Sequence, residues 1–516
     1  MESKINLING NFITLDDSCP EAEIISLNNG KITAINASDH NCRNIDLKGA
    51  TVIPGLVDAH FHLVNFGKQL DRLQLKQCKS PYEIAEMVIN KSKKINNNDW
   101  IIGFGWDQNK WNIKHFPEET ILNSLKLENP VMLTRIDGHA CWVNDIAMQM
   151  SGMHIDANPP EGGQVVNNCI LIDNAMNPVK IHIPKPSEQT VKKWIKLATE
   201  IIISRGITNI HDAWQDQITI DILKQLEANN QLPIRCYGMI GSSYTKILDT
   251  FFNKGIYQSN LYTIRSVKAF IDGALGSRGA ALHEPYSDDK NNCGLILISN
   301  NQFKNLAENC KNAGFQLCTH AIGDKGNKMV LDIYSNAIYS NKNHRWRIEH
   351  AQMVDDKDIP RFKKFGIIPS MQPSHCTSDM PWLDDRIGEN RLHKISRWNS
   401  FIKAGCKIPG GSDCPIEDGN PLFEYYAAVT RQNHFGLPKA GWQPQECVTR
   451  MDALKMFTSW AAYGEFADHR RGKIRPGFDA DLTILSDDIT ICEPSDILKI
   501  EILGTIVAGK MVFSNL

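Results

Sequence analysis

Two histidines stand two residues apart at the end of an apolar segment, in Asp58-Ala59-His60-Phe61-His62. In an extended chain, residues i and i+2 point to the same side, so both imidazoles can reach one metal ion. Packing alone gives little reason for this pair at a strand end after Pro-Gly-Leu-Val-Asp. The spacing therefore indicates a metal site.

Four further ionisable residues end or interrupt apolar segments in the same way: Lys268, His320, His350 and Asp413. Imidazole and carboxylate are suitable ligands for Zn²⁺ and similar metals. Each residue alone has an ordinary explanation, such as a turn at Asp413, and a buried lysine is costly without a partner. Together the six favour hydrolysis, because a metal lowers the pKa of bound water to ~7 and a carboxylate can take its proton.

The elements that must position these residues follow a repeated strand–helix rhythm. Eight candidate strands are Val52–His60, Gly206–His211, Ile234–Ile240, Ser266–Asp272, Phe315–His320, Trp346–His350, Gly366–Gln372 and Cys406–Asp413, with helical segments such as Asn300–Ala313 and Lys325–Tyr339 after some of them. This alternation predicts a parallel sheet, and eight units predict a closed (β/α)₈ TIM barrel of the α/β class. Active sites of such barrels lie at the carboxyl ends of the strands, so the six residues should converge there.

The two chain ends share a different pattern of short strands with glycine-containing turns. Residues 1–52 and 470–516 are predicted to form one small composite β-sandwich domain, and residues 53–469 the barrel. Residues 65–186, approximately, are too long for one loop after barrel strand 1. Insertions of this length are usually functional, and we expect this one near the barrel mouth.

Composition and charge narrow the class of protein. The 516 residues are 42% hydrophobic and 22% charged, with a net charge of −2. The chain thus lacks the excess of basic residues expected of a protein that binds nucleic acid or an anionic membrane. The first residues do not resemble a signal peptide, no stretch has the length of a transmembrane helix, and the 14 cysteines form no C-x-x-C pair. We expect a cytoplasmic enzyme for a small-molecule substrate, with a homodimer as its assembly.

The sequence resembles the amidohydrolase superfamily over essentially its whole length, specifically amidohydrolase family 3 and its N-substituted formamide deformylase-like branch. The motifs that carry the resemblance are Pro54 to His62, Gly105-Trp106-Asp107, Asp137-Gly138-His139-Ala140, Lys268 through Asp272 to Arg278, Thr319 to Asp324, Glu349-His350-Ala351-Gln352, Gly411-Ser412-Asp413 and Pro476 to Leu482.

The resemblance implies a role for each metal-site residue. His60 and His62 would bind one metal ion, His320 and His350 a second, and Lys268 would bridge them, with its carboxylation by CO₂ as a hypothesis. Asp413 would ligate the metal and act as general base. One or two ions, and Zn²⁺ as against Mn²⁺, Fe²⁺ or Co²⁺, remain open, with zinc as the expected metal.

A second group of residues is predicted to surround the reaction. His139 is a candidate oxyanion stabiliser, against the alternative of a hydrogen-bonded structural histidine. Arg278 could bind a substrate carboxylate or only tie down a loop. The predicted substrate-binding residues are Asp272, Arg278, His211, Trp106 and Asp107, with Trp142 as a further pocket-wall candidate.

The function expected from these residues is hydrolysis of a C–N bond, of amide or N-formyl type, in a small molecule. The alternatives are hydrolysis of a cyclic amide, an amidine or an ester by the same site, and a non-catalytic regulator that uses the barrel as a binding pocket. An intact Asp413 argues against the regulator. A structural zinc protein fits poorly, because such sites are closed and often rich in cysteine.

Overall fold

The main sheet of the chain is a nearly closed parallel barrel. The computed structural model describes residues 4–37, 43–153, 159–338 and 343–516. Its barrel strands are β1 Leu56–Phe61, β2 Ile207–Gln215, β3 Arg235–Gly241, β4 Tyr262–Phe270, β5 Gln316–Ala321, β6 Arg347–His350 and β7 Ile368–Ser370. Neighbours in this order pair in parallel, and Tyr257–Gln258 adds a short antiparallel strand to β4. The prediction of a TIM-type α/β barrel is confirmed.

A segment without regular strand structure occupies the eighth position of the barrel. Cys414 forms a parallel bridge with Phe61 of β1, and Gly410 forms one with Met371, just after β7. A Cβ on Gly411 would lie only 2.4 Å from the backbone nitrogen of His60, so this close approach to β1 requires glycine. The segment predicted as the eighth strand therefore closes the barrel through bridges instead of a continuous ladder.

The first predicted strand is divided between two sheets. Thr51–Pro54 pairs antiparallel with Leu482–Leu485, and the chain enters the barrel only after Gly55. A Cβ at Gly55 would lie 2.4 Å from Oγ1 of Thr208 on β2, so glycine lets the chain pass close to the second strand. One continuous apolar segment thus contributes strands to two different sheets. The periodicity of its residues does not show where one strand ends and the next begins.

Helices follow most barrel strands, as the alternation predicts. The helix Asn300–Ala313 has the predicted bounds because a Ser299–Gln302 capping box starts it and Gly314, with φ of 73°, ends it. The α-helices of the described residues are Leu63–Asp71, Pro81–Ser92, Glu119–Asn123, Asp145–Met150, Asn177–Lys180, Glu188–Ser204, Gln217–Ala228, Thr245–Lys254, Asn300–Ala313, Asp324–Ala337, Ile359–Phe365, Pro373–Asp379, Leu383–Ile387, Trp398–Lys403, Pro421–Thr430, Arg450–Met456 and Ser459–Gly464. Tyr339, at the end of one predicted helix, lies outside the described residues. No helix in the described ranges is both long and apolar enough to cross a bilayer.

Both chain ends contribute to two further sheets. One contains Lys31–Ile35, Ile24–Asn28, Ile5–Ile8 and Arg43–Asp46, and the other contains Asn11–Phe12, Thr51–Pro54, Leu482–Leu485, Ile502–Val507 and Lys510–Ser514. Leu7 and Ile25 of the first sheet share an apolar cluster with Val52, Leu482 and Ile506 of the second. The domain boundaries proposed at residues 52 and 470 stay predictions.

Residues Val64–Leu197 form a compact unit of their own, distinct from the rest of the chain. It contains a six-stranded mixed sheet in the order Gly163–Val166, Ile170–Asp173, Ala140–Val143, Val131–Arg135, Ile101–Trp106 and Leu73–Gln74. Two apolar clusters pack within the unit, one including Trp106 and Trp142 and the other Met132 and Met176. Its predicted place near the barrel mouth stays a prediction.

Candidate metal centre

The parallel barrel brings the predicted metal-site residues to one end. His60 and His350 lie at the ends of β1 and β6, His320 lies near the end of β5, and Asp413 lies in the segment that closes the barrel. Lys268, two residues before the end of β4, is fully buried. Carboxyl ends of parallel strands share one mouth, which explains why residues far apart in sequence meet here.

His60, His350 and Asp413 form the tightest group in this centre. Their candidate ligand atoms all lie within 4.8 Å of one another, and all three residues are buried. Two imidazoles and a carboxylate match the ligand preference of Zn²⁺ and related divalent metals. The group takes one histidine from each of the two pairs that the family resemblance assigns to separate ions.

Hydrogen bonds fix which imidazole nitrogen can face a metal. Nδ1 of His60 lies 2.6 Å from Oε2 of Glu349, and Nδ1 of His350 lies 2.7 Å from Oε1 of Gln372. These contacts engage Nδ1 of each ring, so Nε2 is the nitrogen of each ring that could bind a metal. Nε2 of His60 is 3.5 Å from Oδ1 of Asp413. The hydrogen bonds to Nδ1 therefore hold the imidazole of His60 with its Nε2 toward the carboxylate of Asp413.

The other three predicted ligands lie beside this group. Nε2 of His62 is 3.0 Å from Oδ1 of Asp413, and Nζ of Lys268 is 3.1 Å from Nε2 of His60. The ring centroids of His320 and His350 are 4.6 Å apart, while Nε2 of His320 lies 3.3 Å from the carbonyl oxygen of Gly273. All six residues are thus brought together, although their assignment to individual ions stays a prediction.

The backbone is strained where two of these side chains turn inward. His350 has φ of 71°, Ala351 of 40° and Asp413 of 58°, values that residues other than glycine rarely adopt. Each such residue costs of the order of 1–3 kcal/mol and persists only where the surroundings impose it. Strain of this kind concentrates at functional sites, and here it occurs at two candidate metal ligands.

A fully buried ion pair lies behind His60. Nε and Nη2 of Arg347 donate to Glu349 at 2.7 and 3.0 Å, and both side chains have no exposed surface. Arg347 also donates to the carbonyl oxygen of Ala59 at 2.6 Å and to Oγ of Ser370 at 2.8 Å. Burial alone would raise the pKa of the Glu349 carboxyl, but Arg347 and His60 hold it well below its usual range. Glu349 is therefore an anion that accepts from Nδ1 of His60.

The charge states of the centre suit metal binding. Burial lowers the pKa of His60 to about 4 and that of His320 to about 3, with Lys268 adding to both effects. Burial also lowers the pKa of His350 well below its ordinary value. Burial would raise the pKa of Asp413, but His60 and His62 hold it well below the usual range. At neutral pH His60, His320 and His350 are thus neutral imidazoles and Asp413 is a carboxylate, which are the forms that coordinate metals.

The predicted substrate-binding residues of the barrel have clear partners. His211 is completely buried, and its Nδ1 lies 2.8 Å from Nη1 of Arg347. Asp272, also completely buried, accepts backbone N–H bonds from residues 281, 322 and 323, and its Oδ1 lies 3.7 Å from Nε2 of His320. Arg278 donates twice to Asp288, at 3.0 and 2.9 Å. Their roles toward a substrate stay predictions.

The candidates in the unit Val64–Leu197 are held by contacts within that unit. Nδ1 of His139 lies 2.7 Å from Oδ1 of Asp173, on an imidazole that is 74% exposed. The indole of Trp106 is buried and donates to the carbonyl oxygen of Leu133 at 2.7 Å. Asp107 accepts from the backbone of Asn109 and pairs with Arg135, and Trp142 is fully buried. Oxyanion and pocket-wall roles for these residues stay predictions.

Sequence reasoning left out several residues of the centre. Arg347 and Glu349 stand two apart in a strand, the same signal that identified the first histidine pair, but their charges were given no role. His375 had no such signal, because it lies in the short helix Pro373–Asp379 after β7. Its ring stacks on that of His350 at 5.8 Å and 12°, and its Nε2 lies 3.8 Å from Oδ2 of Asp413.

Comparison with known proteins identifies the family of the chain. A family model described as "Amidohydrolase family" matches residues 43–513. The chain belongs to the amidohydrolase family. The match covers the barrel and the C-terminal strands up to residue 513, so it includes every residue of the metal centre.

Individual relatives of this amidohydrolase extend over nearly the whole chain. It is 29% identical to the putative amidohydrolase YtcJ of Bacillus subtilis, over 91% of this chain and 90% of that protein. It is 24% identical to the N-substituted formamide deformylase of Arthrobacter pascens, over 99% and 98% of the two chains. Among solved structures, an uncharacterized metal-dependent hydrolase from Pyrococcus horikoshii superposes with a TM-score of 0.79 at 26% identity, over 95% of this chain and 99% of that one. The protein is a hydrolase of this family, and the predicted branch resemblance is confirmed.

Proposed function

We propose that this amidohydrolase hydrolyses a C–N bond, of amide or N-formyl type, in a small molecule, with a divalent metal held by His60, His350 and Asp413. The convergence of these three ligand atoms within 4.8 Å, beside a buried ion pair that orients His60, carries the proposal. The resemblance to a protein named N-substituted formamide deformylase supports the N-formyl class.

The residues of the centre divide the chemistry between them. A divalent metal held by these residues, with zinc as the first choice, would supply Lewis-acid chemistry and lower the pKa of water. The Asp413 carboxylate accepts the proton of the attacking water and returns it to the departing nitrogen. The water oxygen ends on the carbonyl carbon, the C–N bond breaks, and the amine leaves with the returned proton. His62 and His320 are proposed as additional ligands, for one ion or for a second.

Lys268 is proposed to be carboxylated in the metal-loaded enzyme. As an ammonium it would place a donor 3.1 Å from Nε2 of His60 and compete with a metal for that nitrogen. Reaction of the neutral amine with CO₂ gives a carbamate and one proton, and replaces the donor with anionic oxygens. Isotope-labelled bicarbonate should then give a carbamate NMR signal in the wild type that Lys268→Ala lacks.

The metal and the general base can be tested together. Metal content by plasma mass spectrometry should be about one or two ions per chain and should fall in His60→Ala. Asp413→Asn should lose amine release from N-formyl and N-acyl amines by about 10²–10⁴-fold. His344→Asn serves as the control, because His344 is a buried histidine in the segment before β6, where its Nε2 contacts the carbonyl oxygen of Phe365, and the substitution should change neither quantity.

A result of no metal uptake and no hydrolysis of any amide would contradict the proposal and favour the regulator reading. Faster hydrolysis of matched esters than of amides would indicate that the enzyme is an ester hydrolase instead. We further propose a cytoplasmic, homodimeric enzyme, which cell fractionation and light scattering would test.

A further inference from the structure

Three aromatic side chains stand at neighbouring strand ends of the barrel mouth. Trp214 lies near the end of β2, Tyr244 lies just after β3, and Phe270 ends β4. The ring centroids of Trp214 lie 5.9 Å from Tyr244 and 5.3 Å from Phe270. The three rings therefore form a continuous row, which we call the aromatic wall.

The aromatic wall leads directly to the metal centre. Phe270 lies 5.0 Å from the ring centroid of His320, whose own ring is 4.6 Å from that of His350. Nζ of Lys268 also lies 5.0 Å from the centroid of Phe270. A substrate group that extends from the reacting bond along β4 toward β2 would thus contact these rings.

The backbone of Trp214 has a strained conformation. Its φ of 119° is unusual for any residue with a bulky side chain. A Cβ on Gly241 would lie 2.6 Å from the indole, so only glycine leaves room for the ring at that point of β3. Strain of this kind persists where the surroundings impose it and is concentrated at ligand sites.

The wall presents ring faces instead of polar groups. Nε1 of Trp214 donates to the hydroxyl of Tyr244 at 3.3 Å, which engages the polar edges of both rings. The three side chains are only half-buried, whereas core aromatics of the barrel such as Tyr237 and Trp346 are fully buried. The wall is therefore not part of the barrel core and has ring surface available for a ligand.

We infer that the aromatic wall binds an aryl or other bulky apolar substituent of the substrate, next to the bond that is cleaved, and that Trp214 sets this preference. The inference rests on the proposed function and deepens it by naming the substrate class. Stacking on an aromatic face favours aryl groups beyond the effect of buried area alone, which small alkyl groups cannot match.

The test compares N-phenethylformamide with N-ethylformamide on the metal-loaded enzyme. The wild type should show the higher kcat/KM for the phenethyl compound, and Trp214→Ala should lower the ratio of the two values about tenfold. Gly241→Ala should lower it as well, because the added Cβ displaces the indole. Trp214→Phe keeps a ring face and should retain most of the ratio, which makes it the matched control.

An unchanged ratio in both Trp214→Ala and Gly241→Ala, with metal content and unfolding curves like the wild type, would overturn the inference. Failure of the wild type to cleave either compound would instead contradict the N-formyl part of the proposed function. In that case, calorimetry can measure the binding of phenethylamine and ethylamine and test the aromatic wall independently of catalysis. Tighter phenethylamine binding that Trp214→Ala abolishes supports it, and equal binding of both amines overturns it.

Discussion

Replacing Glu349 with glutamine tests whether the buried ion pair organises the metal centre. The substitution keeps the shape of the side chain and removes its charge. Arg347 then stays buried without an anionic partner, and Nδ1 of His60 faces an amide instead of a carboxylate 2.6 Å away. Two separate quantities should change, the free energy of unfolding and the metal affinity.

The expected magnitudes follow from the contacts. Breaking a fully buried ion pair by changing one partner costs about 3–5 kcal/mol, because the other charge is left uncompensated. Loss of the carboxylate that orients a ligand histidine lowers metal affinity ~10–100-fold. The double variant Arg347→Met/Glu349→Gln should be less destabilised than the sum of the two single variants, because it leaves no buried charge.

The assays are urea unfolding of the metal-free protein and competition for metal with a coloured chelator. Asp481→Asn is the matched control, because Asp481 accepts two bonds from buried Arg235, at 2.6 and 3.0 Å, away from the metal centre. It should cost stability, although less than Glu349→Gln because Asp479 stays 3.6 Å from Arg235, and it should leave metal affinity unchanged.

The reasoning would be refuted if Glu349→Gln bound metal as tightly as the wild type. A loss of affinity equal to that of Asp481→Asn would also count against it, because the effect would then reflect general destabilisation and not the support of His60.

Three further predictions concern metal removal, pH and an unassigned histidine. Chelation should lower the unfolding midpoint of the wild type but not of His60→Ala, as thermal scans can measure. A ligand that binds only the folded state, at 100 times its Kd, adds about 2.7 kcal/mol to the free energy of unfolding. Equal shifts in the two proteins would contradict the prediction. Burial lowers the pKa of His344 from 6.5 to about 4, and the backbone N–H of Trp346 donates to its Nδ1, so protonation disrupts this contact. The unfolded state therefore binds the extra proton between these pH values, and the unfolding free energy should fall with falling pH less steeply in His344→Gln than in the wild type, as measured by urea unfolding. His375→Ala should lower kcat about tenfold or more at unchanged metal content, because Nε2 of His375 lies 3.8 Å from Oδ2 of Asp413. His375→Gln keeps a hydrogen-bond donor and should recover part of the rate. Loss of metal in His375→Ala would mean that His375 is a ligand instead.

The sequence allowed prediction of the strand ends because each carries an unusual polar residue after an apolar run. His60, His320 and His350 were located this way, and Lys268 was located as a lysine inside an apolar strand. The parallel barrel brings all four together. Asp413 was also identified, although its segment forms bridges instead of a strand. The tight approach of Gly411 to β1, which replaces a regular ladder there, depends on tertiary packing and leaves no period in the sequence.

Other features of the centre depend on contacts that no local pattern records. The support of His350 by Gln372 requires the relative placement of two strands, and the stacking of His375 requires a helix to turn back over the mouth. The division of residues 52–60 between two sheets depends on the partner strand Leu482–Leu485, which lies at the far end of the chain. Only the folded structure shows these long-range pairings.

The closing segment of the barrel also has a consequence for the order in which the centre can assemble. The Ser412 hydroxyl donates to Oδ2 of Asp58 at 2.5 Å across a sequence separation of 354 residues. Contacts of such high sequence separation require a long loop to close, and non-local pairings of this kind slow folding. Because Asp413 adjoins this contact, a growing chain on the ribosome can hold several of the histidines long before it has the carboxylate. With the proposed ligands, metal loading would depend on completion of the barrel, and a chain truncated before residue 410 would keep the histidines without a finished centre.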